Sequence, residues 1–242
     1  ELFQQPSEGW FQIGNPLDGD LATDKDVTGM MFSMIGPMLV LVFLFSGCMA
    51  VAPESIAGEK ERGTFATMLV TPVKRSHIAI GKIIALSTLS LISGICSFLG
   101  IILSLPKLVG GTGNISATVY TASDYIMLLG IVLSSVLVIV ALISLISAFA
   151  KSVKEATNMI GPLMILVVLL GVSTMFTSGS AGAFFWYLIP LYNSARAMSG
   201  IFSFAASPLN VIITIASNLV VALLLAFALA KMFDNEKIMF NK

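Results

Sequence analysis

The sequence predicts an all-α, polytopic transmembrane helical bundle. Apolar residues make up 57% of the 242 and the mean hydropathy is +0.96. Charged residues fall to 11%, against about a quarter in soluble domains. Five apolar runs reach the roughly 20 residues that a helix needs to cross a hydrocarbon core. Thirteen basic and thirteen acidic residues cancel, leaving no basic surplus to neutralise phosphates, so nucleic acid is not an expected partner.

The first 28 residues are polar. Glu1, Glu8, Asp18, Asp20, Asp24 and Asp26 stand among Pro and Gly, as in a soluble loop or the edge of a domain. Spans are expected at 29–52, 78–105, 125–150, 158–176 and 208–232, joined by connections 53–77, 106–124, 151–157 and 177–207 and followed by a tail from 233. Ten basic residues border one set of connections: Lys60, Arg62, Lys74, Arg75, Lys82, Lys151, Lys154, Lys231, Lys237 and Lys242. The other set has Lys25, Lys107 and Arg196. Lys and Arg accumulate in cytoplasmic loops, so the expected orientation is N-out and C-in. Five spans with an exterior start and no basic, apolar leader lead to the expectation of a sixth, N-terminal span upstream, with a cleaved signal peptide as the alternative.

Several features read as packing. MIGP occurs at 34–37 and 159–162, where Gly-Pro marks a kink in each span. Ser87, Ser90, Ser93 and Ser97 in the second span, and Ser134, Ser135, Ser144 and Ser147 in the third, have no accompanying base and are expected to pack closely and hydrogen-bond between helices. Cys48 and Cys96 lie within apolar runs, as small hydrophobes. His77 is the sole histidine and has no Cys, Asp or Glu at ligand spacing, so no metal site is expected. The run AFFWYLIPLYN at 183–193 is too short to span; it is expected to lie at the outer interface or to dip in and return, with Arg196 as an interfacial, snorkelling side chain.

One densely charged island interrupts the apolar chain. Residues 54–82 read ESIAGEKERGTFATMLVTPVKRSHIAIGK, and their first part distributes as a short amphipathic surface helix. Pro53 suits its start, with Ile56, Phe65, Met68 and Leu69 on its apolar side and Pro72 ending it. The mixed signs of Glu59, Lys60, Glu61 and Arg62 bring little net charge but many directional contacts, which suits docking to a protein better than anchoring to lipid.

The string EKERGT at 59–64, then TPV at 71–73 and GK at Gly81 and Lys82, resembles the signature of type 2 ATP-binding-cassette exporter permeases, in particular the sodium-efflux-permease-like branch. The resemblance extends to MFSMIGPMLVLVFLFSG at 31–47, FAKSVKEATNMIGPLM at 149–164 and IPLYNSARAM at 189–198. It implies a half-transporter of six spans with a large outer domain between the first and second, of which residues 1–28 would be the end. It also implies a coupling helix that sits in a groove of a cytoplasmic ATPase subunit, formed here by Glu54, Glu59, Lys60, Glu61, Arg62, Gly63 and Thr64. A second permease copy or homologous permease is implied as partner.

Nucleotide is expected on the partner. Residues 58–65, GEKERGTF, carry the two glycines of a P-loop, but Thr64 stands at the lysine position and Phe65 at the hydroxyl position. The chain is therefore expected to hold no cofactor, with ATP and magnesium bound by the ATPase. Lys151, Lys154 and Glu155 form a candidate second cytoplasmic contact. The spans offer no carboxylate at mid-depth, which argues against an ion-driven carrier. The expected function is the multi-pass plasma-membrane permease subunit of an ATP-driven exporter of a drug, peptide, lipid-like molecule or ion. The alternative is a non-transporting scaffold that docks a cytosolic partner through residues 54–75.

Overall fold

The computed structural model describes residues 24–64, 75–109, 120–176 and 184–234. Six helices account for most of them: α1 Asp24–Glu61, α2 Arg75–Val109, α3 Ala122–Phe149, α4 Val153–Ser173, α5 Tyr192–Phe202 and α6 Pro208–Asp234. Single 3-10 turns cover Thr174–Phe176 and Phe184–Leu188. All but α5 are long and apolar enough to cross a membrane.

The core lies between α1 and α3. Leu41, Leu44, Phe45 and Cys48 of α1 are buried with Ile131, Val132, Val136, Ile139 and Ile143 of α3. Around this pair α2 and α4 pack on α1, α6 packs on α3, and α5 lies across both. The faces turned away remain apolar, as at Ile84, Leu103, Leu169, Leu223 and Phe227, which suits contact with lipid chains. Gly171 lets α4 approach α1 closely, since a Cβ there would lie 2.8 Å from the Met38 Cα.

The helices also extend beyond several expected span ends, and two of the differences shape the charged end of the bundle. No separate helix begins at Pro53; α1 runs 38 residues through both Pro37 and Pro53. An interior proline costs a helix about 3 kcal/mol. The buried stripe of the span continues past it through Ile56, Ala57 and Gly58, and this packing offsets the cost. The helix ends instead at Gly63, whose φ of +71° is a conformation that glycine adopts without strain. Expected apolar positions Phe65, Met68 and Leu69, and Pro72, lie outside the described residues.

The connection expected at 151–157 is also shorter, because α4 begins at Val153. Ser152 caps it by accepting from the Glu155 N–H at 3.2 Å, and Glu155 Oε2 accepts from the Lys151 N–H at 2.8 Å. This is a close variant of the capping box, in which a Ser and a Glu three residues on satisfy the free N–H groups of a first turn.

The segment before α6 enters the bundle and returns. Ser217 Oγ donates to the Leu188 carbonyl at 3.1 Å, about 14 Å along α6 from its start. Leu191, at φ +67°, then turns the chain into α5. At the far end of α5 the Phe202 carbonyl accepts from the Tyr120 hydroxyl, which lies just before α3. Phe32, Tyr120, Phe202 and Phe204 gather there, with Tyr120 and Phe204 stacked at 4.9 Å. Burial raises the Tyr120 pKa above its ordinary value, so the phenol remains a neutral donor. Arg196 does not snorkel: α5 is enclosed on most of its surface, and Arg196 is buried, with Nη1 3.4 Å from the Tyr192 hydroxyl.

Candidate functional site

The charged residues singled out in the sequence gather at one end of the bundle, where α1 ends, α2 begins and α3 turns into α4. Folding brings residues 54–64 and 151–155 together. Glu61 Oε2 accepts from the Val153 backbone N–H at 2.9 Å, across 92 positions of sequence.

Each charge has a distinct partner. Glu59 pairs with Lys82 of α2 at 2.5 Å, and Lys82 Nζ also donates to the Ser55 carbonyl at 2.8 Å. Their side chains are largely enclosed, at 25% and 11% exposure, so each needs the other to offset its loss of hydration. Lys60 is half-buried and donates to the Ala148 carbonyl at 2.7 Å. Glu54 and Arg62 pair with each other on the exposed face of α1, eight residues apart. Thr64 Oγ1 donates to the Glu59 carbonyl at 3.2 Å and, with Gly63, completes the exposed rim. Lys151, Lys154 and Glu155 are exposed beside them.

Lys82 joins this junction without being among the expected coupling residues, although it lies within the signature. Its signal was available. A lysine seven residues into an apolar helix must find an anion or reach water, and Glu59 is the anion within reach.

A second polar group lies inside the bundle, where α3, α5 and α6 meet. Asn218 Nδ2 donates to Ser194 Oγ at 2.8 Å and Ser134 Oγ at 3.2 Å, and Ser135 and Ser194 share a hydrogen bond of 2.8 Å. Ser194 reaches Asn193 Oδ1 at 3.1 Å, and Asn193 Nδ2 donates to the Tyr187 carbonyl at 3.2 Å. Ser134, Ser135, Asn193, Ser194 and Asn218 are all buried. The interhelical role expected of Ser134 and Ser135 is thus seen, whereas Asn193, Ser194 and Asn218 were missed. An Asn within an apolar span is itself the signal, because its amide must be paired inside the protein.

These features belong to a recognisable lineage. The family model described as ABC-2 family transporter protein matches residues 6–237, nearly the whole chain. The chain belongs to that family. It is 34% identical over 178 residues to the ABC transporter permease protein NatB of Bacillus subtilis, an alignment that covers 70% of this chain and 44% of the relative. The chain thus spans less than half the length of that relative. Family and spans together make this ABC-2 protein a multi-pass protein of the cell membrane.

Proposed function

We propose that this chain is the permease part of an ATP-driven exporter, and that a separate cytoplasmic ABC ATPase docks on the junction at the end of α1. The observation that carries this reading is the union of residues 54–64 and 151–155 on one charged surface formed by abutting helix ends. The basic residues clustered at that end support its cytoplasmic placement. Glu54, Arg62, Gly63, Thr64, Lys151, Lys154 and Glu155 are the groups open to a partner.

Family membership, the charged junction and the defective P-loop at 58–65 favour a permease whose ATP and magnesium are held by the partner. Such a permease must receive work through contact, and a helix end packed against three others can pass a displacement of the partner into the spans. The lining supports an amphipathic cargo, since among the described residues no carboxylate lies at mid-span. A second permease copy completes a two-fold transporter.

The test is copurification from membranes of the native organism. The wild-type chain is expected to retain an ATPase with a Walker motif, and Arg62→Glu with Lys154→Glu is expected to lower its yield about tenfold. Undiminished association in the double variant would overturn the docking assignment. A retained partner without a Walker motif would favour the scaffold reading.

A further inference from the structure

Three consecutive side chains at the end of α1 reach three different helices. Glu59 pairs with Lys82 in α2, Lys60 donates to the carbonyl of Ala148 in the last turn of α3, and Glu61 accepts from the first N–H of α4. The last two contacts match the poles of the helices they touch. A helix C-terminus has unsatisfied carbonyls and partial negative charge, which a lysine complements; a helix N-terminus has free N–H groups and partial positive charge, which a carboxylate complements. Adjacent residues of opposite sign thus hold both sides of the three-residue turn Ala150, Lys151 and Ser152.

The packing beneath leaves little slack. Ile56, Ala57, Ala148, Ala150 and Ala156 are all at most 1% exposed. Close-packed interiors transmit displacement rather than absorb it. Glu54 and Arg62, by contrast, pair only with each other among these contacts and remain on the exposed face.

We infer that Glu59, Lys60 and Glu61 are positioning residues rather than docking residues: they form a bracket that makes the ends of α1, α2, α3 and α4 move as one body when a partner displaces α1. The inference deepens the permease reading and rests on it for its biological meaning, but the bracket itself is a property of this chain. Glu61 is open to water, yet its carboxylate is already engaged with α4. The charge quartet 59–62 is thereby divided, with three members joined to other helices and Arg62 paired with Glu54 on the exposed face.

The experiment measures the distance between spin labels at Ile80 and Met159, which are exposed positions near the bracket on α2 and α4. The two native cysteines are first replaced, Cys48→Ala and Cys96→Ser, and the full chain is studied in lipid nanodiscs with whatever ATPase copurifies. Labelled chain is diluted with unlabelled chain so that pairs between two copies do not contribute, and one narrow distance distribution is then expected, unchanged when the complex is trapped with ADP and vanadate. Lys60→Ala with Glu61→Ala is expected to broaden it about twofold, as local opening becomes accessible, while ATPase yield stays at the wild-type level. Glu61→Gln, which retains an acceptor for the Val153 N–H, is expected to keep the distribution narrow.

Exchange of the enclosed pair, Glu59→Lys with Lys82→Glu, restores the narrow distribution that Glu59→Lys alone loses. A broad wild-type distribution, a trapped complex in which the two labels move apart, or an alanine variant that stays narrow would each overturn the bracket. Loss of ATPase from Lys60→Ala with Glu61→Ala at an unchanged distance would return these residues to docking. Failure of any ATPase to copurify with the wild type strikes the permease reading alone, because the distances in the isolated chain still decide the bracket.

Discussion

The end of α1 and the node around Asn218 solve the same problem with different chemistry. Each joins several helices through side chains rather than backbone. The junction at Glu59, Lys60 and Glu61 uses full charges at helix ends, where water can rehydrate them if a contact opens. The node at Ser134, Ser135, Ser194 and Asn218 uses only hydroxyls and amides, because an isolated charge released at mid-depth would have no water to receive it.

The comparison breaks most readily at Glu59. Removing it by Glu59→Ala leaves Lys82 enclosed without its anion, and thermal unfolding in detergent should show a loss of about 3 kcal/mol. The double change Glu59→Leu with Lys82→Met should recover most of that loss, as replacing both members of an enclosed pair by apolar groups does. A single and a double variant of equal stability would show that the pair contributes nothing as a pair. Asn218→Leu tests the other region. It removes donors to Ser134 and Ser194, whose hydroxyls keep acceptors of their own, the Ile131 carbonyl at 3.0 Å and Asn193 Oδ1 at 3.1 Å, so the expected loss is about 1 kcal/mol. That loss should not vary with salt, because no ionised group is involved; a salt-dependent loss would show that the node is coupled to charge. The smallest effect is expected at the exposed pair. Arg62→Ala should change unfolding by about 0.5 kcal/mol or less, which circular dichroism can bound.

The contrast also shows which parts of the molecule a sequence makes legible. The five spans follow from hydropathy alone, and Pro208–Phe233 falls within a residue of the expected 208–232. Local rules failed where tertiary packing overrode them. Pro53 was read as a start, yet burial of Ala52, Ile56 and Ala57 continues the helix through it. The sequence SVKE at 152–155 announces the start of α4, although its charges equally suit a solvated turn, and only the cap contacts separate the two. A dip and return is legible in the aromatic run at 183–193, but the buried helix α5 that follows it is not, since eleven residues containing Asn193, Ser194 and Arg196 are neither long nor apolar enough to mark a membrane element. Their polarity is satisfied by α3, α6 and their own helix, which no local pattern encodes.

The unbroken course of α1 gives the molecule a lever arm. Thirty-eight residues make a rod of about 57 Å, against a hydrocarbon core of roughly 30 Å. One end carries Arg62, and near the other Phe32 lies against Phe202 and Tyr120. A tilt of only about 5° around its middle would displace each end by about 2.5 Å in opposite directions, and Phe32, eight residues in from the end, by about 1.4 Å. That travel exceeds the slack of close-packed rings, so a push delivered on one side of the membrane would be felt as a separation of aromatic side chains on the other.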